Sequence, residues 1–314
     1  MKSLYLLLSF LFCMTTSCTP AAKEIPSELV FKAEATTGEG SIWHPERKTL
    51  FWVDIEGKTL YEYHPATEDC SSWQFDRMIS TVVPETDSTV IIALQNEIVR
   101  VFLNDGHTAS IAPIPDFEGK VRCNDGKCDP ASRLWIGTMG FGAPKGAGTL
   151  YCVTADGNVQ TKIKDVTISN GIVWSSNKKY MYYADTPTGK IARYRYDADN
   201  GDILFDGVAV QIPEGTGAPD GMTIDKDDNL WVAQWGGYGI YCYNPYTGEL
   251  LAKVDVPAPN VASCAFGGKD FDTLYITTAR AGLSEEQLKK YPLSGSLFSC
   301  TPGVKGVIAN SFGD

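Results

Sequence analysis

The stretch Gly221–Pro245, GMTIDKDDNLWVAQWGGYGIYCYNP, decides the fold. Its first apolar residues run into the polar turn Asp225–Asn229, and a strict alternation follows, with Leu230, Val232 and Gln234 on one side and Trp231, Ala233 and Trp235 on the other. That period of two is the signature of a β-strand. Gly236-Gly237 then turns the chain into a third strand rich in tyrosine, so the unit reads as a β-meander.

The same plan recurs along the chain. Further units begin near Ser41 (SIWHPERKTLFWVDIEGKTLYEYHP), Thr81 (TVVPETDSTVIIALQNEIVRVFL), Gly126 (GKCDPASRLWIGTM), Gly171 (GIVWSSNKKYMYYADTPTGKIARYRYD) and Ser263 (SCAFGGKDFDTLYITTA). Repeats of about 40 to 50 residues, each a meander, are the mark of propeller blades. Six starts predict an all-β, six-bladed β-propeller. The leading strand Leu29–Ala35 is placed to pair with the final blade after Gly306–Ala309, because an unclosed ring would leave aggregation-prone edges. Helical periodicity is confined to one turn at Ser284–Lys290.

Composition agrees. The 30 glycines, 17 prolines and 35 aromatic residues suit many short strands with tight turns, and 43% apolar content supports one large core. A net charge of −11 opposes nucleic-acid binding, which needs a basic stripe. At the N-terminus, Lys2, the apolar run Leu4–Met14 and the small residues Thr15-Thr16-Ser17 precede Cys18. Residues 1–17 therefore read as an export signal of bacterial lipoprotein type. Cys18 becomes the lipidated first residue, residues 18–26 a tether, and residues 27–314 one propeller domain. The expected location is the periplasm or outer membrane, with the lipid as the sole membrane contact and the protein a monomer. Of the other seven cysteines, Cys152, Cys242, Cys264 and Cys300 sit in strand-like apolar runs and read as buried hydrophobes, while Cys123 and Cys128 flank a turn.

The chain lacks a G-x-S-x-G elbow, an H-E-x-x-H helix and a phosphate-binding Gly-Lys-Ser loop. His44 and His64 precede prolines and His107 follows Asp105-Gly106, so all three read as turn residues. A metal here would be held by oxygen, which favours a hard cation. The runs Asp225–Asn229 and Asp197–Gly201 imitate a calcium loop but lack its sixth-position glycine or its closing glutamate, and read as hairpin turns. What remains is a polar residue at the start of the innermost strand of successive blades: Glu39, Asn124, Asn170 and Asp220, each followed by glycine directly or within two residues. In a propeller these starts converge on the axis.

These residues lie in GEGSIWH, RCNDGKCDPASRLWIGTM, ISNGIVWS, APDGMTIDKDDNLWVA and SCAFGGKDFDTLYITTAR, and with them the chain resembles the regucalcin (senescence marker protein) and gluconolactonase family over almost all of residues 30–314. The resemblance implies one central divalent cation, Ca²⁺ first, with Zn²⁺, Mg²⁺, Mn²⁺ or Fe²⁺ as alternatives. Glu39, Asn170 and Asp220 would be its ligands. Arg122 and Asn124 would bind substrate, a small sugar lactone, and Asp220 would act as general base or orient the attacking water. Where family members carry a longer acidic loop, this chain has Gly140–Gly146 without an acid, so Phe141 and Lys145 are expected to edge the pocket mouth. Two other readings stand: a related propeller hydrolase of organophosphates or aryl esters, and a non-catalytic calcium- or sugar-binding propeller.

Overall fold

Both faces of Leu230–Trp235 are buried except at Trp235, so its alternating side chains enter two different interfaces, one with the sheet on each side. That is how stacked blades differ from a half-solvated sheet. The computed structural model describes residues 22–115 and 119–313. Among them are four four-stranded antiparallel sheets and one nine-stranded sheet. The larger sheet consists of two meanders joined at a single residue pair, Trp235 with Asn260.

Each meander begins with a buried strand. These are Gly38–His44, Ile79–Thr86, Val121–Cys128, Ser169–Trp174, Ala218–Ile224 and Asn260–Gly267. Each packs against the next in that order, and the last returns to the first, so the inner strands close a ring. Burial falls outward: Gly38–His44 is buried throughout, whereas Asp69–Gln74, at the far edge of the same sheet, is largely exposed. The result is an all-β, propeller-like fold.

Closure uses both ends of the described chain. Glu28–Phe31 pairs antiparallel with Leu297–Cys300 and completes the last meander with an N-terminal strand. The expected pairing is thus present, but with Leu297–Cys300 and not beside Gly306–Ala309, which form no strand; Gly306 makes only an isolated bridge to Asp225. Lys23–Pro26, expected in the tether, instead pairs in parallel with Leu250–Asp255, because Ile25 is apolar and buries against that sheet. The signal, Cys18 and the first tether residues lie outside the described residues. Among those described, no helix is long and apolar enough to cross a membrane.

The calcium-like runs are turns. Asp225 is fully buried and accepts from the backbone of Asp227 and Asn229 and from Trp231 Nε1 at 2.9 Å. Asp129 repeats the device six residues before Trp135, with Arg133 and Tyr196 added. Asp197–Gly201 connects Lys190–Tyr196 to Ile203–Gln211. Among the described residues the one α-helix, Glu285–Lys290, carries a capping box on Ser284 and Gln287. Cys152, Cys242, Cys264 and Cys300 are buried as expected. Cys123 and Cys128 do not flank a turn; both are buried on the strand Val121–Cys128.

Candidate axial site

The Asn-Gly and Asp-Gly pairs are not turns but strand irregularities. Pairing slips between Glu39 and Ile42, between Cys123 and Gly126, between Asn170 and Ile172, and between Pro219 and Met222. A bulge of this kind bends the strand and re-aims a side chain. Because it recurs at one level of the ring, it turns Glu39, Asn124, Asn170 and Asp220 toward a common point. The glycines that follow permit this crowding. A Cβ on Gly171 would lie 2.5 Å from the carbonyl oxygen of Asp220, and one on Gly221 would lie 2.9 Å from that of Ala262.

Glu39, Arg122, Asn124, Asn170 and Asp220 all line one cavity of about 280 Å³ at this level. The structure thus brings the five residues nominated as metal ligands and substrate binders to one cavity. A polar chain links them. Arg122 Nη1 donates to Asn124 Oδ1 at 2.6 Å, and Asn124 Nδ2 donates to Ser169 O at 2.7 Å and to Asn170 Oδ1 at 3.2 Å. Asn170 Nδ2 donates to Thr186 Oγ1 at 2.8 Å, whose hydroxyl donates to Pro219 O, beside Asp220. Asn124 therefore has both amide hydrogens committed to protein; its position holds Arg122 and Asn170 in place.

The carboxylates are different. Glu39 Oε2 accepts from Gly40 N at 2.9 Å, and its carboxyl lies within hydrogen-bonding reach of that of Asp220. Asp220 Oδ1 is buried and has no partner. Burial, and after it the charge of Asp220 and then Asp125, pushes the Glu39 carboxyl well above its ordinary range. Burial followed by the charge of Asp125 does the same to Asp220, with Arg122 opposing. Two like acids forced together in a dry site cannot both ionise unless a cation compensates them. Burial also lowers the pKa of Arg122, opposed first by Glu56.

The donor set fits a divalent cation: an orphaned carboxylate oxygen, a second carboxylate, and an amide oxygen on Asn170 with one lone pair unused. Among the described residues no group of three or more His, Cys, Asp or Glu side chains forms a metal cluster, as a set of two acids and an amide requires. The histidines stay away from the cavity. His44, expected in a turn, is instead buried at a strand end, with Nε2 2.9 Å from Thr86 O. Sequence reasoning missed Thr37, Glu56, Met139, Thr186 and Trp235, which also line the cavity. Glu56, Met139, Thr186 and Trp235 sit at or just past the ends of second strands, so the same repeat alignment extended by one strand would have found them. Phe141 and Lys145, expected at the mouth, are not among the lining residues. Hydrogen bonds from Ala143 N to Gly140 O and from Ala147 N to Pro144 O fold that loop on itself, and Met139 takes the wall.

A closed ring of inner strands around a cavity with two buried carboxylates defines a propeller-like protein with an axial site. Residues 37–280 match the family described as SMP-30/Gluconolactonase/LRE-like region, and the chain belongs to it. A Bacillus subtilis protein provisionally named sugar lactone lactonase YvrE is 37% identical over 84% of this chain and 91% of its own. Regucalcin of Danio rerio is 33% identical over 92% and 98%. The crystal structure of a calcium-binding protein, regucalcin, from Agrobacterium tumefaciens superposes with a TM-score of 0.88 at 28% identity, over 93% of this chain and 99% of that one.

Proposed function

We propose that this protein is a metal-dependent lactonase that opens an aldonolactone to the aldonic acid, on a six-bladed propeller with Glu39, Asn170 and Asp220 holding one cation at its centre. The observation that carries the reading is the orphaned Asp220 Oδ1 beside Glu39 at the bottom of a cavity whose wall presents Arg122. The count of six follows from dividing the nine-stranded sheet at its single Trp235–Asn260 joint. The names of two relatives support the chemistry: one is called a sugar lactone lactonase, another a calcium-binding protein. Ca²⁺ is the first choice of cation, and Zn²⁺, Mg²⁺, Mn²⁺ and Fe²⁺ are the alternatives.

Each residue then has a task. Arg122, oriented by Asn124, donates to substrate oxygens; its bonds to Cys123 O and Asn124 Oδ1 use one nitrogen, Nη1, and leave donors on the others. A divalent cation in this site would polarise the ester carbonyl and stabilise the negative charge that develops on its oxygen. Asp220 orients the attacking water through a carboxylate oxygen, since a carboxylate beside a cation is a weak base. The dry walls formed by Ile55, Met139, Ile168 and Trp235 strengthen these interactions. The signal-like N-terminus and Cys18 support a location in the periplasm or outer membrane with a lipid anchor, and the reading takes the protein as a monomer.

The test is a panel of five- and six-membered aldonolactones, assayed after EDTA treatment and again after refilling with each of the five cations. Cation-dependent turnover of at least one lactone is expected. Turnover of paraoxon but no lactone would shift the reading to the organophosphate hydrolases, and ligand binding without turnover would make the protein a binding module.

A further inference from the structure

The inner strands run the length of the axis, and their far ends enclose a second cavity. Gly38–His44 has Glu39 at one end and Trp43 at the other; Val121–Cys128 has Arg122 and then Lys127; Ser169–Trp174 has Asn170 and then Trp174. The far cavity measures about 270 Å³, close to the 280 Å³ of the axial site. Its walls are mixed, with Trp43, Trp174, Ile224 and Phe266 forming the apolar part and lysine and hydroxyl side chains the rest.

Its roof is the C-terminal segment. Lys305 O accepts from Lys226 N and Gly306 N donates to Phe271 O on one side. Asn310 Nδ2 donates to Cys128 O and Phe312 N donates to Pro84 O on the other. Between these anchors, Val307, Ile308 and Ala309 span the opening.

The charge of the lining is unlike that of the molecule. The chain has 38 acidic against 27 basic residues, yet the described residues around this cavity include Lys127 and Lys178 and no acid. Lys127 Nζ donates to Met222 O at 2.7 Å, which leaves further donors on that ammonium. Carboxylates adjoin the lining without entering it: Asp125 lies two residues before Lys127 on the same strand, Asp129 is committed to Arg133, Trp135 and Tyr196, and Asp228 is held by Ser176 N and Oγ. A flat apolar body fits the tryptophan and phenylalanine walls, and a single negative charge finds the ammonium groups of Lys127 and Lys178, the hydroxyls of Ser175 and Ser176 being already donated to Asn177 and Asp228. A buried anion is tolerated only with such partners.

We infer that this far-end cavity is a binding site for a small organic monoanion with an aromatic or branched apolar body, a carboxylate being the simplest form. It is separate from the axial site and does not depend on the lactonase reading.

The experiment titrates the cation-loaded protein with benzoate and with its neutral isostere benzamide, by calorimetry and by ligand-observed NMR. Benzoate is expected to bind about tenfold more tightly than benzamide, as one charge-assisted contact in a dry site warrants. Lys178→Glu, on the surface, removes that preference; Lys127→Met does the same, with a thermal melt to show that it folds. Asp220→Asn is expected to retain benzoate binding, which separates this site from a carboxylate coordinated at the axial cation. Equal affinity for benzamide, no benzoate binding in the wild type, unchanged binding in both lysine variants, or loss of binding in Asp220→Asn would each overturn the inference.

Discussion

Replacing Asp220 with Asn separates what the axial carboxylates do for the cation from what they do to the fold. In the metal-free protein, Glu39 and Asp220 are both held above the ordinary carboxylate range, chiefly by burial and then by neighbouring negative charge. The folded state therefore keeps protons that the unfolded chain releases. Stability is full below the ordinary carboxylate range and is lost as pH rises through the raised values. Asp220→Asn removes one of these charges, and the metal-free variant at about pH 8 should be more stable than wild type by on the order of 1–3 kcal/mol, since neutralising a poorly compensated buried ion commonly gains that much. Loss of attraction to Arg122 offsets part of it. A cation works against that order. At about a hundred times its Kd, the cation adds about 2.7 kcal/mol to wild type, which at roughly 2 °C per kcal/mol raises Tm by about 5 °C for a chain of this length. Differential scanning calorimetry from about pH 5 to pH 8, with EDTA or with Ca²⁺, reads both effects. A variant that kept the full Ca²⁺ shift, or a metal-free wild type whose Tm rose with pH where the carboxylates ionise, would refute the reasoning.

Other consequences can be measured separately. Asp129→Ala deletes the fully buried acceptor of Arg133 Nε, Trp135 Nε1 and Tyr196 Oη and leaves the half-buried guanidinium without its ion-pair partner, so it should cost about 3 kcal/mol by urea unfolding. Phe312→Ala empties a side chain that is 2% exposed and docks beside Pro84; a loss of about 3–5 kcal/mol is expected in the same assay. Arg122→Lys keeps the charge but loses the fork that Asn124 orients, and should raise KM for an aldonolactone about tenfold or more, with a small effect on an unsubstituted lactone.

How much of this was legible in the sequence follows from what each feature depends on. Strand alternation at Leu230–Trp235 is local, and so was readable; so were the helical turn at Ser284–Lys290 and the turn at Asp225. The convergence of Glu39, Asn124, Asn170 and Asp220 was readable because repeats convert equal position in the unit into equal height on the axis. The bulges that aim those side chains were not, since a slip in pairing depends on the partner strand. Asn-Gly and Asp-Gly are ordinary turn dipeptides in isolation, and only the 2.5 Å approach of Asp220 O to the Gly171 Cβ position shows why glycine is required at Gly171. Closure with Leu297–Cys300, the strand at Lys23–Pro26 and the C-terminal roof are contacts between distant parts of the chain that no local pattern encodes.

The ring geometry also explains why this site accumulates charge that the fold resists. Six bulged strands meeting at one level bury the polar side chains there, which must find partners within the ring or in the cavity. Arg122, Asn124, Asn170 and Thr186 do so in sequence, each handing a hydrogen bond to the next. That chain ends at Pro219 O, one residue short of Asp220, and Glu39 lies outside it. The two carboxylates are thus the members whose demand the protein leaves unmet, and the amide of Asn170 stands between them and the satisfied network. A fold that neutralised them with a lysine at this level would be more stable and would have no place for a cation; the buried Lys127 is instead one layer further along the axis, beside Asp125.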